Sequence, residues 1–265
     1  MSQEAIAPAL RPPLKWAGGK RWLVPYLRSY WRAHCHRPLV EPFCGGLAVA
    51  LGLLPERAYL NDANPHLINF YRWLQGDLRF TIPMRNEEEL YYSHRRRFNE
   101  LIAGGQAGSG EAAQLFYYLN RTGYNGLCRF NAGGEFNVPF GRYRRINYPA
   151  GLAPYGAALR GWVFLCQDFE VLPVGPDAFL YADPPYDVEF RQYAREGFRW
   201  EDQVRLANWL ARHPGPVIAS NQATDRVVAL YRDLGFTLSF LSAPRMISCT
   251  GDRTPAREIL ALRGV

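Results

Sequence analysis

The chain has 265 residues, 48% of them hydrophobic and 21% charged, values ordinary for a globular protein and enough for one large α/β domain with a smaller insertion. No apolar run is long enough to cross a bilayer, and Met1 to Leu10 lack the basic start, apolar core and small-residue cleavage site of a secretory signal, so a cytoplasmic location and no membrane partner are expected. A formal net charge of +7 favours a polyanionic partner, nucleic acid ahead of an acidic membrane surface.

Two details refine that picture. All but two of the 31 basic residues are arginine, and the two lysines, Lys15 and Lys20, share the window Lys15-Trp16-Ala17-Gly18-Gly19-Lys20, where compact ammonium groups are therefore expected to be needed. The five cysteines, Cys35, Cys44, Cys128, Cys166 and Cys249, are odd in number and form no C-x-x-C pair, which argues for free thiols over disulfides or structural zinc. His34-Cys35-His36 does not change this, because alternate residues on a helix do not converge on one ion. No metal is expected.

In chain order, Leu39 to Phe43 is a short apolar run followed by Gly45-Gly46 and a helix-like stretch, Leu47 to Leu54, which predicts strand, tight turn, helix. Ala58 to Leu60 predicts a second strand ending in Asn61-Asp62, and Asn64-Pro65 supplies an N-cap and first-turn proline for a helix through Gln75. Asp62 thus falls at a strand's carboxyl end, where doubly wound folds bind ligands. The alternation then stops: Glu87 to Ile102 and Glu111 to Asn120 look helical, and an inserted, mainly helical domain is expected over 73–146. Its end carries Arg121, Arg129, Arg142, Arg144 and Arg145 against Glu135, with Tyr124, Phe130, Phe136, Phe140 and Tyr143 interleaved, the pattern of a nucleic-acid surface. Strands are expected again at 162–166, 178–182, 217–220, 237–240 and 258–262, with helices at 203–212 and 224–234. The last two strands, with no helical pattern between them, predict an antiparallel hairpin at a sheet edge.

Asp183-Pro184-Pro185-Tyr186 follows the apolar run Phe179-Leu180-Tyr181-Ala182, and so sits at the carboxyl end of a buried strand. The prolines stiffen the backbone and leave carbonyls without a paired N–H. The carboxylate offers another acceptor and the ring a stacking face, so an amino group on a flat base fits.

Asp-Pro-Pro-Tyr is similar to the catalytic motif of amino-group DNA methyltransferases. With Leu14 to Lys20, Glu41-Pro42-Phe43 plus Gly45, Asn61-Asp62, Leu119 to Arg129 and Gly134 to Tyr143 in the same order, the chain resembles the Dam-type DNA adenine methyltransferases over essentially its whole length. The resemblance implies a Rossmann-like, S-adenosylmethionine-dependent methyltransferase sheet, discontinuous over 1–72 and 147–265, with 73–146 as the target-recognition insertion. It implies S-adenosyl-L-methionine as donor, S-adenosyl-L-homocysteine as product, double-stranded DNA as substrate, and no obligate protein partner. Asp183, Pro184 and Tyr186 would be catalytic, Asp183 and the Pro184 carbonyl binding the adenine N6 amine and Tyr186 stacking on the flipped base. Trp16, Lys20, Asp62 and Asp183 match donor-contact positions. Phe43 and Gly45 would line the donor's amino-acid end, Asp62 its ribose, and Asp168 with Phe169 its adenine. Structural places for several of these are equally compatible with the sequence: Asp62 as a helix cap, Trp16 in the core, Asp168 capping a turn.

For target choice, the resemblance makes Lys15 and Arg129 guanine contacts, Leu127 and Pro139 neighbours of a thymine methyl, Tyr124 a wedge in the base stack and Asn125 a support for the displaced strand, together implying GATC. Arg121, Arg142 and Tyr143 complete the expected DNA-binding set, with phosphate contact the expected role of Arg142. One departure is Leu47, where the family usually places another glycine. N4-cytosine enzymes usually carry serine at the Asp183 position. C5-cytosine chemistry needs a cysteine nucleophile in a Pro-Cys dipeptide that this chain lacks, and a nicotinamide dehydrogenase needs a G-x-G-x-x-G spacing absent from Glu41 to Ala50. An adenine methyltransferase of another sequence specificity and a silent DNA-binding relative are the remaining alternatives.

Overall fold

The computed structural model of the protein describes residues 10–149, 151–186, 197–243 and 256–265. Its elements run α1 (Val24–His34), β1 (Leu39–Glu41), α2 (Ala50–Leu53), β2 (Ala58–Asn61), α3 (Pro65–Gln75), α4 (Glu88–Ala103), α5 (Gly110–Thr122), α6 (Ala153–Ala158), β3 (Trp162–Leu165), β4 (Phe179–Ala182), α7 (Trp200–Arg212), β5 (Val217–Gln222), α8 (Asp225–Asp233), β6 (Thr237–Ala243) and β7 (Ala256–Arg263). The strands form a seven-stranded sheet in the order β3-β2-β1-β4-β5-β7-β6. β1 is parallel to β2 and β4, and β4 is parallel to β5, whereas β7 is antiparallel to both β5 and β6. This is the Rossmann-like sheet that the sequence predicts, and the expected terminal hairpin is present with β6 at the edge. No helix of the described residues is long and apolar enough to cross a membrane.

The chain packs as two compact units, and the division falls inside β3. One comprises Trp22–Cys44, Pro55–Ala63 and Leu165–Val265. β4, at its centre, is apolar because both faces are covered: it is buried at every position. Alternate residues of β4 divide between the faces. Phe179 meets Trp31 of α1 edge-on at 5.3 Å, while Leu180 and Ala182 join Leu206, Ala207 and Leu210 of α7, Val227 and Tyr231 of α8, and Ile259 of β7 in the main apolar cluster. β6, by contrast, has several exposed positions, as an edge strand with one open flank does.

The other unit comprises Met1–Arg21, Gly45–Leu54 and Asn64–Phe164. It is built around α5, which buries residues on every side, from Ala112 round to Thr122. A helix that is buried all round is a central strut and not a surface element. α3 and α4 pack against it. Asn64 caps α3 through bonds from His66 N and Leu67 N with Pro65 at the first turn, as its sequence predicts, and Ser109 caps α5 through Ala112 N.

One expectation needs correction, and one feature was not foreseen. The helix expected over Leu47 to Leu54 is only Ala50–Leu53. Leu47 takes a φ of 60° and Leu54 a φ of 51°, so left-handed residues bracket it where apolar periodicity alone suggested a continuous helix. The arginine-rich end of the insertion is a β-hairpin, with antiparallel bridges between Gly123 and Phe140 and between Phe130 and Phe136. Its glycines, asparagines and aromatics do not alternate cleanly enough to reveal it.

Candidate active site and nucleic-acid interface

In the sheet-bearing unit, the parallel strands deliver their polar residues at the carboxyl ends. Phe43 follows β1, Asp62 follows β2, Asp168 and Phe169 follow Leu165, and Asp183 follows β4. Asn61 ties three of these turns together: its side chain donates to the Pro42 and Gln167 carbonyls at 3.0 Å each and accepts from Gln167 N. The Phe43 ring lies 5.8 Å from Phe169 and 5.4 Å from Phe198, with Phe169 and Phe198 6.3 Å apart, a three-ring apolar wall. Asp168 does cap a turn, accepting from Glu170 N, and its carboxylate is also gripped by Arg205 at 2.8 and 3.2 Å, while that guanidinium lies 4.5 Å over the Phe169 ring. Asp62 is half-buried and leaves the capping of α3 to Asn64.

The Asp183-Pro184-Pro185-Tyr186 loop is supported at three points. Ser220, at the end of β5, donates to Asp183 Oδ1 at 2.9 Å; Gln203 of α7 donates to the Pro185 carbonyl at 2.8 Å; and the Tyr186 hydroxyl donates to Glu258 of β7 at 2.5 Å. Burial, reinforced by the charges of Asp183 and Glu258, pushes the Tyr186 phenol far above its ordinary pKa, so it stays a neutral donor. No hydrogen bond from the described residues reaches the carbonyl of the buried Pro184. The loop thus carries an anchored carboxylate beside a carbonyl that no described residue engages, on a rigid backbone.

In the helical unit, the segment holding both lysines wraps against the glycine turn and α5. The Trp16 indole covers Gly45 and Gly46 so closely that a Cβ on either would come within 2.7 Å of it. These glycines are therefore required by an indole packed on the backbone. Lys20 is 4% exposed. Asn120 of α5 exchanges bonds with the Lys15 backbone in both directions, at 2.9 and 2.8 Å. Lys15 Nζ donates to the Arg121 carbonyl at 2.9 Å and stands 3.5 Å over the Tyr143 ring.

Burial and the nearby Arg121 charge lower the Lys15 pKa from 10.5 to about 8. Between those two values the unfolded chain binds the extra proton, so stability rises with pH through this window and falls again as pH drops towards 8. The expected result is that any stability difference between Lys15→Met and the parent shifts in the parent's favour from pH 8 to 10.5. Thermal melts across that range check it, and a pH-independent difference contradicts it.

The hairpin that follows α5 is the most exposed chemistry of this unit. Tyr124 N bonds to the Pro139 carbonyl, Gly141 N to Thr122 and Asn137 N to Arg129, and the turn is closed by the Asn131 side chain, which accepts from Gly133 N and Glu135 N. Three α4 residues four apart pin it: Tyr91 and Arg95 donate to the Val138 carbonyl, and Asn99 exchanges bonds with Phe136 N and O at 2.8 and 3.1 Å. Tyr124, Asn125, Leu127, Arg129, Pro139 and Arg142 are exposed on it. Arg129 is held by Asn137, which accepts from its Nε at 2.7 Å and from Nη2 at 3.3 Å.

With this geometry in view, comparison with known proteins is decisive. The model of the D12 class N6 adenine-specific DNA methyltransferases matches residues 16–246. The chain belongs to that family. It is 36% identical to the DNA adenine methylase of Vibrio cholerae over 94% of both chains, and 35% identical to the DNA adenine methylase of Escherichia coli K12 over the same shares. It is also 35% identical to the retron Ec67 DNA adenine methylase of Escherichia coli, covering 95% of this chain and 90% of that one.

Within this D12-class adenine methyltransferase the sequence-selected residues separate by environment. Phe43, Asp62, Phe169, Asp183, Pro184 and Tyr186 lie together on the strand-end side of the sheet-bearing unit. Trp16, Lys20 and Gly45 belong to the helical unit, as do all the residues selected for DNA. Of the latter, Arg121 and Tyr143 are occupied internally: Arg121 donates to the Pro13 and Asn147 carbonyls, and the Tyr143 hydroxyl donates to the Gly123 carbonyl. Sequence reasoning missed Ser220, Gln203 and Glu258 behind the Asp183 loop, Arg205 beside Asp168 and Phe169, and Tyr91, Arg95 and Asn99 behind the hairpin. The available signals were a Ser-Asn-Gln end on an otherwise apolar strand, a glutamate opening the apolar run Ile259 to Leu262, and the four-residue spacing on α4.

Proposed function

We propose that this D12-class enzyme methylates adenine N6 within GATC in duplex DNA, by flipping the base and transferring the methyl group directly in line, with S-adenosylmethionine as donor. The carrying observation is the Asp183 loop: a carboxylate fixed by Ser220 next to the Pro184 carbonyl, which no described residue engages, two acceptors suited to the two hydrogens of an exocyclic amine. The adenine N6 lone pair is delocalised into the ring, and hydrogen bonds to both amine hydrogens favour its localisation. Tyr186, its hydroxyl tied to Glu258, presents a ring whose face would stack on the extruded base.

The residues suit the donor. The Phe43, Phe169 and Phe198 rings would take a flat purine and the Asp62 carboxylate a ribose diol, with Asp168 and Arg205 holding Phe169 in place. Trp16, Lys20 and Gly45 are assigned to the donor's remaining contacts. When bound, S-adenosylmethionine supplies an electrophilic methyl group on a sulfonium, so no nucleophilic side chain is required. Residues 73–146 are assigned to target recognition and the rest of the chain to catalysis. On the hairpin, Arg129 is assigned to guanine, Leu127 and Pro139 to the thymine methyl, Tyr124 to the gap left by the flipped base, Asn125 to the displaced strand and Arg142 to phosphate. Lys15 is assigned to a second guanine, with Arg121 and Tyr143 shaping the floor beneath it.

The test is transfer of labelled methyl to duplexes that differ from GATC by one base pair, including one in which the target adenine is replaced. Label confined to intact GATC is expected. Label at another adenine site removes the recognition assignments and keeps the chemistry; label on none removes the catalytic reading.

A further inference from the structure

Behind the active loop lies a polar chain that the proposed reaction does not yet use. Tyr181 is the third residue of β4 and Ser220 the fourth of β5, and the parallel register of these strands brings the Tyr181 hydroxyl to 2.9 Å from Ser220 Oγ. Ser220 Oγ in turn stands 2.9 Å from Asp183 Oδ1. Ser220 is 0% and Tyr181 2% exposed, between the apolar runs that open both strands and the core. A hydroxyl pair in such a place costs free energy unless both members are satisfied.

The direction of the chain follows from proton count. A carboxylate only accepts, so the single Ser220 proton goes to Asp183, and Tyr181 must then donate to Ser220. Burial, with the Asp183 charge added, pushes the Tyr181 phenol far above its ordinary pKa and keeps that proton in place. Tyr181 is sealed in the core, so the chain is closed to solvent at its Tyr181 end.

We propose that Ser220, polarised by Tyr181, is a positioning residue for methyl transfer: it sets the rotation of the Asp183 carboxylate and thereby its alignment with the target amine. This rests on the reading of Asp183 as the amine acceptor. Alignment matters because the reacting atoms must be held to within a fraction of an ångström, and a carboxylate on a single torsion is otherwise free to turn. The Ser220 hydroxyl touches neither base nor donor in this role, so its loss acts on the rate and leaves both affinities alone.

The experiment measures single-turnover methylation of a GATC duplex at saturating DNA and donor, with DNA and donor dissociation constants and thermal midpoints for every variant. Ser220→Ala is expected to slow the step about 10- to 100-fold, the range of a charge-assisted hydrogen bond, with both dissociation constants unchanged. Tyr181→Phe, which keeps the Ser220 bond and removes only its polarisation, is expected to slow it about 3- to 10-fold. Ser220→Thr, which restores the hydroxyl, should return the rate to within about 3-fold of the parent. Asp183→Ala is run beside them. If it loses activity while Ser220→Ala and Tyr181→Phe both turn over at the parent rate, positioning is overturned and the catalytic reading survives. If Asp183→Ala itself turns over at the parent rate, the underlying reading fails. A Ser220→Ala loss that appears entirely as weaker DNA or donor binding, or that Ser220→Thr leaves uncorrected, also overturns the proposal.

Discussion

Replacing Asp183 by alanine is expected to slow methyl transfer about 10³-fold while DNA binding changes by less than about 2-fold, because on the proposed reading the lost contact acts on the reacting amine and not on the duplex backbone. The size follows from the site. The carboxylate is a charged acceptor in a half-buried position at a strand end, and its orientation is set by a buried hydroxyl. Alanine removes the acceptor and leaves Ser220 Oγ without that partner. On the proposed reading the remaining acceptor, the Pro184 carbonyl, is neutral and would engage one amine hydrogen only. Single-turnover transfer of labelled methyl, paired with a binding titration on the same duplex, measures both quantities. A transfer rate within a few-fold of the parent would remove Asp183 from the mechanism.

The second large effect is one of discrimination. Arg129→Ala is expected to reduce preference for the correct base pair at one position of the site by about 10- to 100-fold, equivalent to the 1–3 kcal/mol of a bidentate arginine–guanine contact. The guanidinium is already steadied at its Nε edge by Asn137, which leaves the outer edge of the fork to solvent with little rotamer freedom left to lose. Arg144→Ala is the contrast: on the phosphate reading it weakens every duplex alike and lowers the salt slope by about one. A panel of duplexes, each carrying one substituted base pair and titrated at two salt concentrations, separates the two behaviours. A uniform loss of affinity in Arg129→Ala would make it a backbone contact.

Much of the sheet was readable because its strands are apolar runs closed by chemically pointed residues. Asn61-Asp62 after β2 and Asp183-Pro184-Pro185-Tyr186 after β4 mark strand ends, and Asn64-Pro65 marks the start of α3 by the cap it must supply. The supports behind the active loop were not readable, since Gln203, Ser220 and Glu258 become its neighbours only through strand and helix placement 18 to 72 positions along the chain. Composition likewise cannot tell an arginine that faces solvent from one that braces backbone. Arg121 and Arg129 look alike in the sequence, yet one donates to the carbonyls of Pro13 and Asn147 and the other stands exposed on the hairpin. The short α2 was misjudged for a related reason: Leu47 is 0% exposed, and its burial holds a left-handed backbone that periodicity disfavours.

The hairpin also bears on how such an enzyme can change over generations. Its inward residues, Gly123, Gly126, Phe136 and Val138, are locked: a Cβ at Gly123 would collide with the Leu119 carbonyl and one at Gly126 with Lys15, and the Phe136 and Val138 side chains are buried. The outward residues, Tyr124, Leu127, Arg129 and Pro139, alternate with them and carry little of the packing. Surface substitutions away from structural features generally shift stability by no more than about 0.5 kcal/mol, so these positions are nearly free to drift. Under the proposed recognition roles, a lineage can therefore sample new target sequences through a few outward side chains, one at a time, without passing through an unfolded ancestor.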